Sequence, residues 1–373
     1  MLRSPGMPLL IAMTALGFAG FSALLPVAPM WAAQGGAGPV GAGLVNGILM
    51  LFTVLAQLAV PAALRRLGWT PVLVTGMLLL GLPSAAFAFS NDLPAVLAVS
   101  ALRGLGFGVL TVSGSALVAE LVNPAYRGRA IGVYGLAIAA PQVLFVSTGP
   151  WIVEQLGYTP VFAVGILPVV GAVPALILGR WVQRVPEAKE PAPYLRLLRP
   201  MVLLLAVTLA GGALITFMAQ MSHSAVLSMV ALLVLTVAAT LARWLVGPLS
   251  DRAGPRTFVW PLIIITTVGM GTIAWAVRDP DATEALPLLV GAALVGISYG
   301  ALQNLTLVMS FQVVDRPHYG SASAVWNIGF DTGTGLGAVL VGAIAAGASF
   351  STAMVIAGAI SLLTLPLALR RRA

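Results

Sequence analysis

Cysteine is absent from this chain of 373 residues, which excludes disulfides, thiolate metal sites and cysteine nucleophiles. Charge is scarce as well: 8% of residues are Asp, Glu, Lys or Arg, against roughly 25% in soluble domains. Lys189 is the single lysine beside eighteen arginines, a bias that, with abundant Ala and Gly, fits a genome rich in G and C. The two histidines, His223 and His318, fall between apolar runs with no carboxylate at ligand spacing, so no metal site is expected. An intramembrane enzyme would need a nucleophile with its base, or a metal cluster, and the chain offers neither. No enzymatic activity and no cofactor are therefore expected.

What the chain has instead is apolar length. Hydrophobic residues make up 59% of it and the mean hydropathy is +1.02. Twelve apolar runs, at 7–31, 42–63, 71–90, 93–121, 130–153, 158–179, 201–221, 225–247, 257–277, 285–313, 320–347 and 350–369, are each long enough to cross a bilayer core as a helix. The fold class is thus an all-α membrane protein with twelve transmembrane helices. The first run is longer than the core of a signal peptide and is kept as a span. Residues 182–200 form the longest polar stretch and read as a linker, dividing the chain into a bundle over 1–181 and a second over 201–373.

The net charge of +8 is spread over short loops rather than gathered on one face, which argues against nucleic acid as a partner. With the N-terminus placed in the cytoplasm, sixteen of the nineteen Lys and Arg fall in inside segments, and Arg278 is the one left outside, near Asp279, Asp281 and Glu284. The positive-inside rule then places both termini in the cytoplasm.

Between the eighth and ninth runs lies GPLSDRAGPR, Gly247–Arg256, read as a short hinge loop in which Gly247 and Pro248 end one span and Gly254 and Pro255 turn the chain. A worn copy, PAALRRLG, sits 186 residues earlier, with Arg65 where the loop has Asp251 and Gly68 where it has Gly254. A shift of 192 residues lays LRGLGFG, from Leu102, over LVGISYG, from Leu294. Registrations near half the chain length argue for two homologous halves. The pattern G-x-x-x-D-R-x-G-x-R, carried by Gly247, Asp251, Arg252, Gly254 and Arg256, resembles the signature loop of the major facilitator superfamily, and RGLGFG resembles its fourth-helix motif.

The resemblance implies two pseudo-symmetric six-helix bundles around a cavity lined by spans 1, 4, 7 and 10, and secondary transport by alternating access. It also implies that Asp251 meets the start of the fifth span, near Arg127 and Arg129, as a gating contact, and it associates Arg103 with proton coupling. In RGLGFG the first glycine comes one residue early, turning Arg103 by about 100° relative to the glycines and leaving its orientation open. Stabilisation of Arg103 by buried carbonyls is the structural alternative. Gly149–Pro150 matches part of the superfamily's antiporter motif, but Phe145, Val153 and Glu154 depart from it.

Asp331 is the one carboxylate near the middle of a span, a costly place that marks a proton or cation site or a buried structural partner. On the helix wheel Asn327, Asp331 and Thr334 share one face, and Gly329, Gly333 and Gly337 share another, about 120° away, suited to close packing on a neighbouring helix. Gln303, Thr306 and Ser310 form a polar stripe in the tenth span, with Ser298 farther round, while Asn304 points elsewhere. In the fourth span Ser100 and Thr111 lie near the face of Arg103. These groups could bind a solute or join helices. Arg243, near the inner end of the eighth span, reads as snorkelling to the interface.

The leading expectation is efflux of a small organic, amphipathic solute from a bacterial cytoplasm across the inner membrane, with protons bound at Asp331 and coupling shared by Arg103. Proton-linked uptake of a metabolite is the alternative. The partners expected are that solute, protons and the bilayer, and one chain supplies both halves, so the functional unit is expected to be a monomer.

Overall fold

The computed structural model describes residues 6–121, 127–182, 193–222, 224–279, 282–315 and 318–369, and these are helical almost throughout, with no strand among them. A backbone in lipid must satisfy its own N–H and C=O groups, and a helix does so within one segment. Spans one and two are α1 (Gly6–Gln34) and α2 (Gly38–Leu67). The third is α3 (Trp69–Gly81), tightening into a 3-10 segment, Leu82–Ala88, and the fourth is α4 (Leu93–Leu121). The fifth joins α5 (Arg127–Pro141) through a π segment, Gln142–Val146, to α6 (Ser147–Leu156). The sixth comprises α7 (Thr159–Gly165) and α8 (Leu167–Trp181). Then come α9 (Tyr194–Met221), α10 (Ala225–Ala253), α11 (Pro255–Ala276), α12 (Ala285–Gln312) and α13 (Tyr319–Gly347), with α14 (Phe350–Leu362) and α15 (Leu365–Leu369) completing the twelfth. All twelve are long and apolar enough to cross a membrane.

Irregularities sit at prolines. Pro168 starts α8 after the break at Ile166. The π segment directly precedes the helix containing Pro150, whose ring crowds the carbonyl four residues back, that of Val146. Two boundaries differ from the sequence reading. α9 begins at Tyr194, so its first turns take up Arg196 and Arg199 from the stretch read as linker. α10 continues through Gly247 and Pro248 to Ala253, so those two do not end the span; the turn is made at Gly254 alone. Pro248 forfeits one N–H but keeps a φ compatible with the helix.

The described chain divides into two compact units, Met1–Gly35 with Ile48–Lys189, and Gly36–Gly47 with Glu190–Ala373. The first ten residues of α2 thus pack with the second unit: the Asn46 Nδ2 donates to Thr216 Oγ1 (2.9 Å), and Gly43 lies against the Ala338 carbonyl.

The internal repeat is visible in how each unit is packed. In the first, Gly104 and Gly108 press α4 onto the Leu49 and Thr53 carbonyls of α2. In the second, Gly296 and Gly300, 192 residues on, press α12 onto the Leu235 and Ala239 carbonyls of α10. A Cβ at any of the four would meet backbone, so glycine sets the helix separation. The two turns correspond as well. Gly68 has φ 83° between α2 and α3, and Gly254 has φ 80° between α10 and α11, a conformation that residues with a Cβ rarely adopt. The most enclosed spans also correspond: 78% of the most apolar stretch of the first and 83% of the seventh are buried, more than in any other span.

Candidate functional site

In the first unit Arg103 is fully buried on α4. Its Nη2 donates to the Gly20 carbonyl of α1 (3.0 Å), and its guanidinium lies 6.0 Å from the Phe87 ring centroid. Among the described residues Nε and Nη1 have no hydrogen-bond partner, and neither has the buried Ser100 Oγ one turn away. The orientation left open by the early glycine is now explained. Gly104 and Gly108 face α2, Gly106 faces the Gly76 carbonyl of α3, and Arg103 is left facing α1. No carboxylate among the described residues pairs with it; its surroundings include a carbonyl and the Phe87 ring. Thr111 turns to α2 instead, where its Oγ1 accepts from Gln57 Nε2 (3.1 Å), and Thr53 Oγ1 donates to the Gly104 carbonyl (3.1 Å).

In the second unit the Asp331 side chain is 2% exposed, midway along α13. The glycine stripe beside it packs as expected: Gly329, Gly333 and Gly337 lie against Met201, Leu205 and Leu209 of α9, while Gly212 of α9 lies against Thr334. With two backbones this close, Asp331 is held at a set depth and height. Asn327 Nδ2 donates to the Ser323 carbonyl (2.9 Å) and Thr334 Oγ1 to the Phe330 carbonyl (2.9 Å), both within α13.

Opposite on α12, the Tyr299 phenol lies within electrostatic reach of both Asp331 and Arg243. Its ring rests on Gly211 and lies 6.0 Å from that of Phe330, which stacks on Trp326 at 5.6 Å. Arg243 is exposed overall but is tied to α12. Its Nη1 donates to Gln303 Oε1 (3.1 Å), nine residues from the end of α12, and its carbonyl accepts from Asn304 Nδ2 (3.0 Å). Arg243 and Gln303 are therefore joined directly, with Tyr299 in the electrostatic field of both Arg243 and Asp331.

Two residues of the tenth-span stripe join helices. Ser298 Oγ accepts from Thr266 Oγ1 of α11 (2.8 Å), and Thr306 Oγ1 accepts from Trp326 Nε1 of α13 (3.1 Å). Of the expected gating loop, Gly254 makes the turn and Arg252 and Arg256 are exposed, while the side chains of Asp251, Arg127 and Arg129 lie outside the described residues. Two features escaped the sequence reading. Tyr299 lies one turn before Gln303 on the same face and entered only as part of the repeat. Asn46, Thr53 and Gln57 recur at i, i+7 and i+11 on α2, the spacing of one helix face, and all three are buried.

A family model described as Major Facilitator Superfamily matches residues 10–277 and 200–373. The chain belongs to this superfamily. The synaptic vesicular amine transporter of Bos taurus is 26% identical over 322 residues, 81% of this chain and 60% of that protein. The multidrug transporter protein MdtP of Bacillus subtilis is 26% identical over 140 residues, 38% of this chain and 25% of that one. This chain spans 60–64% of the length of the curated amine transporters that it matches. A bacterial homologue of the human lysosomal transporter Spinster, solved in an inward-facing, unoccupied conformation, superposes with a TM-score of 0.76 at 15% identity, covering 98% of this chain and 96% of that one. At that identity the likeness concerns the fold. As a superfamily member with twelve membrane-capable helices, the chain is a multi-pass membrane protein.

Proposed function

We propose that this superfamily member is a secondary active transporter that exports a small, amphipathic organic solute across a bacterial cytoplasmic membrane, with both termini in the cytoplasm, driven by protons that bind Asp331. The observation that carries the reading is the carboxylate itself: 2% exposed, in mid-span, on a helix locked by glycines against α9. An ionisable group at that depth is expensive to keep, and a proton carrier is the role that repays the cost. Tyr299, Gln303 and Asn327 supply sparse polar contacts among aromatic rings, which suits an amphipathic solute better than a phosphate ester, whose recognition would want several arginines.

In liposomes, Asp331→Asn should abolish solute movement driven by a proton gradient while sparing exchange of solute down its own gradient, because only the charge change is removed. Active transport at the wild-type rate in the variant would return Asp331 to a structural role. The vesicular and chromaffin granule amine transporters among the relatives favour a second reading, in which Asp331 seats the positive charge of a protonated amine. In that case downhill exchange would be lost too, so the same pair of assays separates the two.

A further inference from the structure

A cavity of about 190 Å³ in the second unit is lined by Arg196, Arg199, Pro200, Arg256, Met309, Gln312 and Val313. Given that a water occupies about 30 Å³ in the liquid, the hole has room for roughly six waters or a small polyatomic ion. Its charged lining residues are all arginines. Arg196 lies in the first turn of α9 and Arg256 in the first turn of α11, where the helix dipole is already positive and a cation is unfavourable.

Neither first turn carries an acidic residue, and neither helix start has a side-chain cap. Arg199 Nη2 reaches the Ala368 carbonyl at 3.5 Å, but the exposed guanidinium groups of Arg196 and Arg256 make no bond to any described residue. The C-terminal end of α12 contributes a partial negative charge of about half an elementary unit, short of the charge on Arg196 and Arg256. Asp315, just beyond it, forms no ion pair with them.

We propose that this cavity is a binding site for a phosphate-bearing anion, and that its occupant is the headgroup of an acidic phospholipid. Guanidinium forks match phosphate oxygens bidentately, and helix N-termini accept the same anions. The surroundings select the lipid over free phosphate. Tyr194, Leu195 and Leu198 are exposed on the first turns of α9, at 57%, 85% and 47%. Trp260, one turn beyond Arg256 on the same face of α11, is 43% exposed. Aromatic and apolar side chains around a basic pocket at the end of a span are placed to meet acyl chains and the interface. Arg256, which the sequence assigns to the signature loop, thus gains a role that does not depend on gating.

The test is thermal unfolding of the purified full-length protein in mild detergent, with added phosphatidylglycerol, phosphatidylcholine or inorganic phosphate. Phosphatidylglycerol at ten or more times its dissociation constant should raise Tm by roughly 2–4 °C, and phosphatidylcholine should not. The rise should vanish in R196Q/R256Q and persist in R65Q/R66Q, which removes the same charge from the last turn of α2. An equal rise in R196Q/R256Q, or a loss in R65Q/R66Q, would overturn the pocket in favour of diffuse electrostatics. An equal rise with inorganic phosphate would overturn the lipid assignment. If the double variant unfolds during purification, native mass spectrometry of R256Q decides: phosphatidylglycerol retained as in the wild type refutes the site.

Discussion

Arg103 and Asp331 are both ions buried in spans, and their surroundings differ in a way that can be measured. Arg103 has one carbonyl, an aromatic ring and two donors without partners. Each buried unsatisfied donor costs about 1–3 kcal/mol, so this arginine weakens the fold that holds it. Replacing a buried charge by an apolar side chain of similar length is often neutral or stabilising. Arg103→Met is therefore expected to keep or raise Tm in detergent while transport in liposomes falls sharply. A variant that loses stability yet transports normally would make Arg103 a structural brace between α4 and α1. The sequence marked Asp331 from its depth and Arg103 from the motif that it opens. It could not show that Arg103 faces α1, because that depends on which helix takes up the glycines beside it.

The helices of this protein are held together by close backbone approach, since lipid supplies no hydrophobic drive between them. The glycines then divide into two kinds that the sequence does not distinguish. A Cβ at Gly337 would overlap the Leu209 carbonyl of α9, whereas a Cβ at Gly271, also mid-helix, meets nothing within 4 Å. Gly337→Ala is expected to cost about 1–3 kcal/mol, as overpacking does, while Gly271→Ala should gain about 0.5–1 kcal/mol from reduced backbone entropy. Opposite shifts of Tm in the two variants check this, and equal shifts would contradict the packing. The stripe of Gly329, Gly333 and Gly337 was legible from helical periodicity. Ser298 and Thr306 illustrate the reverse: the wheel puts them on a polar face, but whether a hydroxyl there meets solute or a neighbouring helix depends on what lies opposite. Here Thr266 and Trp326 lie opposite.

For the whole molecule, the charge census leads to a topology that can be probed directly. Reporters fused after Lys189 and after Arg372 should read as cytoplasmic, and one inserted near Asp281 as external; the opposite sidedness at any of the three would refute it. Arg278 and Glu284, the described ion pair of the loop near Asp281 (2.7 Å), are both about half exposed, so the pair is worth little to stability and the loop should tolerate insertion. The twelve spans, the repeat and the family could be read from the chain, because hydropathy over about 20 residues and spacing near half the length are properties of sequence alone. Even the turn at Gly254 was marked, although its neighbours Gly247 and Pro248 were wrongly assigned to it: a helix in lipid runs on through such residues until a backbone with positive φ stops it. Side-chain partners were a different matter. That Arg243 bonds to Gln303, that the Tyr299 phenol and Asp331 interact electrostatically, and that three arginines from two helix starts share one cavity all depend on helices far apart in the chain being brought side by side. The backbone hydrogen bonds of a helix close within four residues, so sequence determines the helices; which faces meet is settled only when they pack.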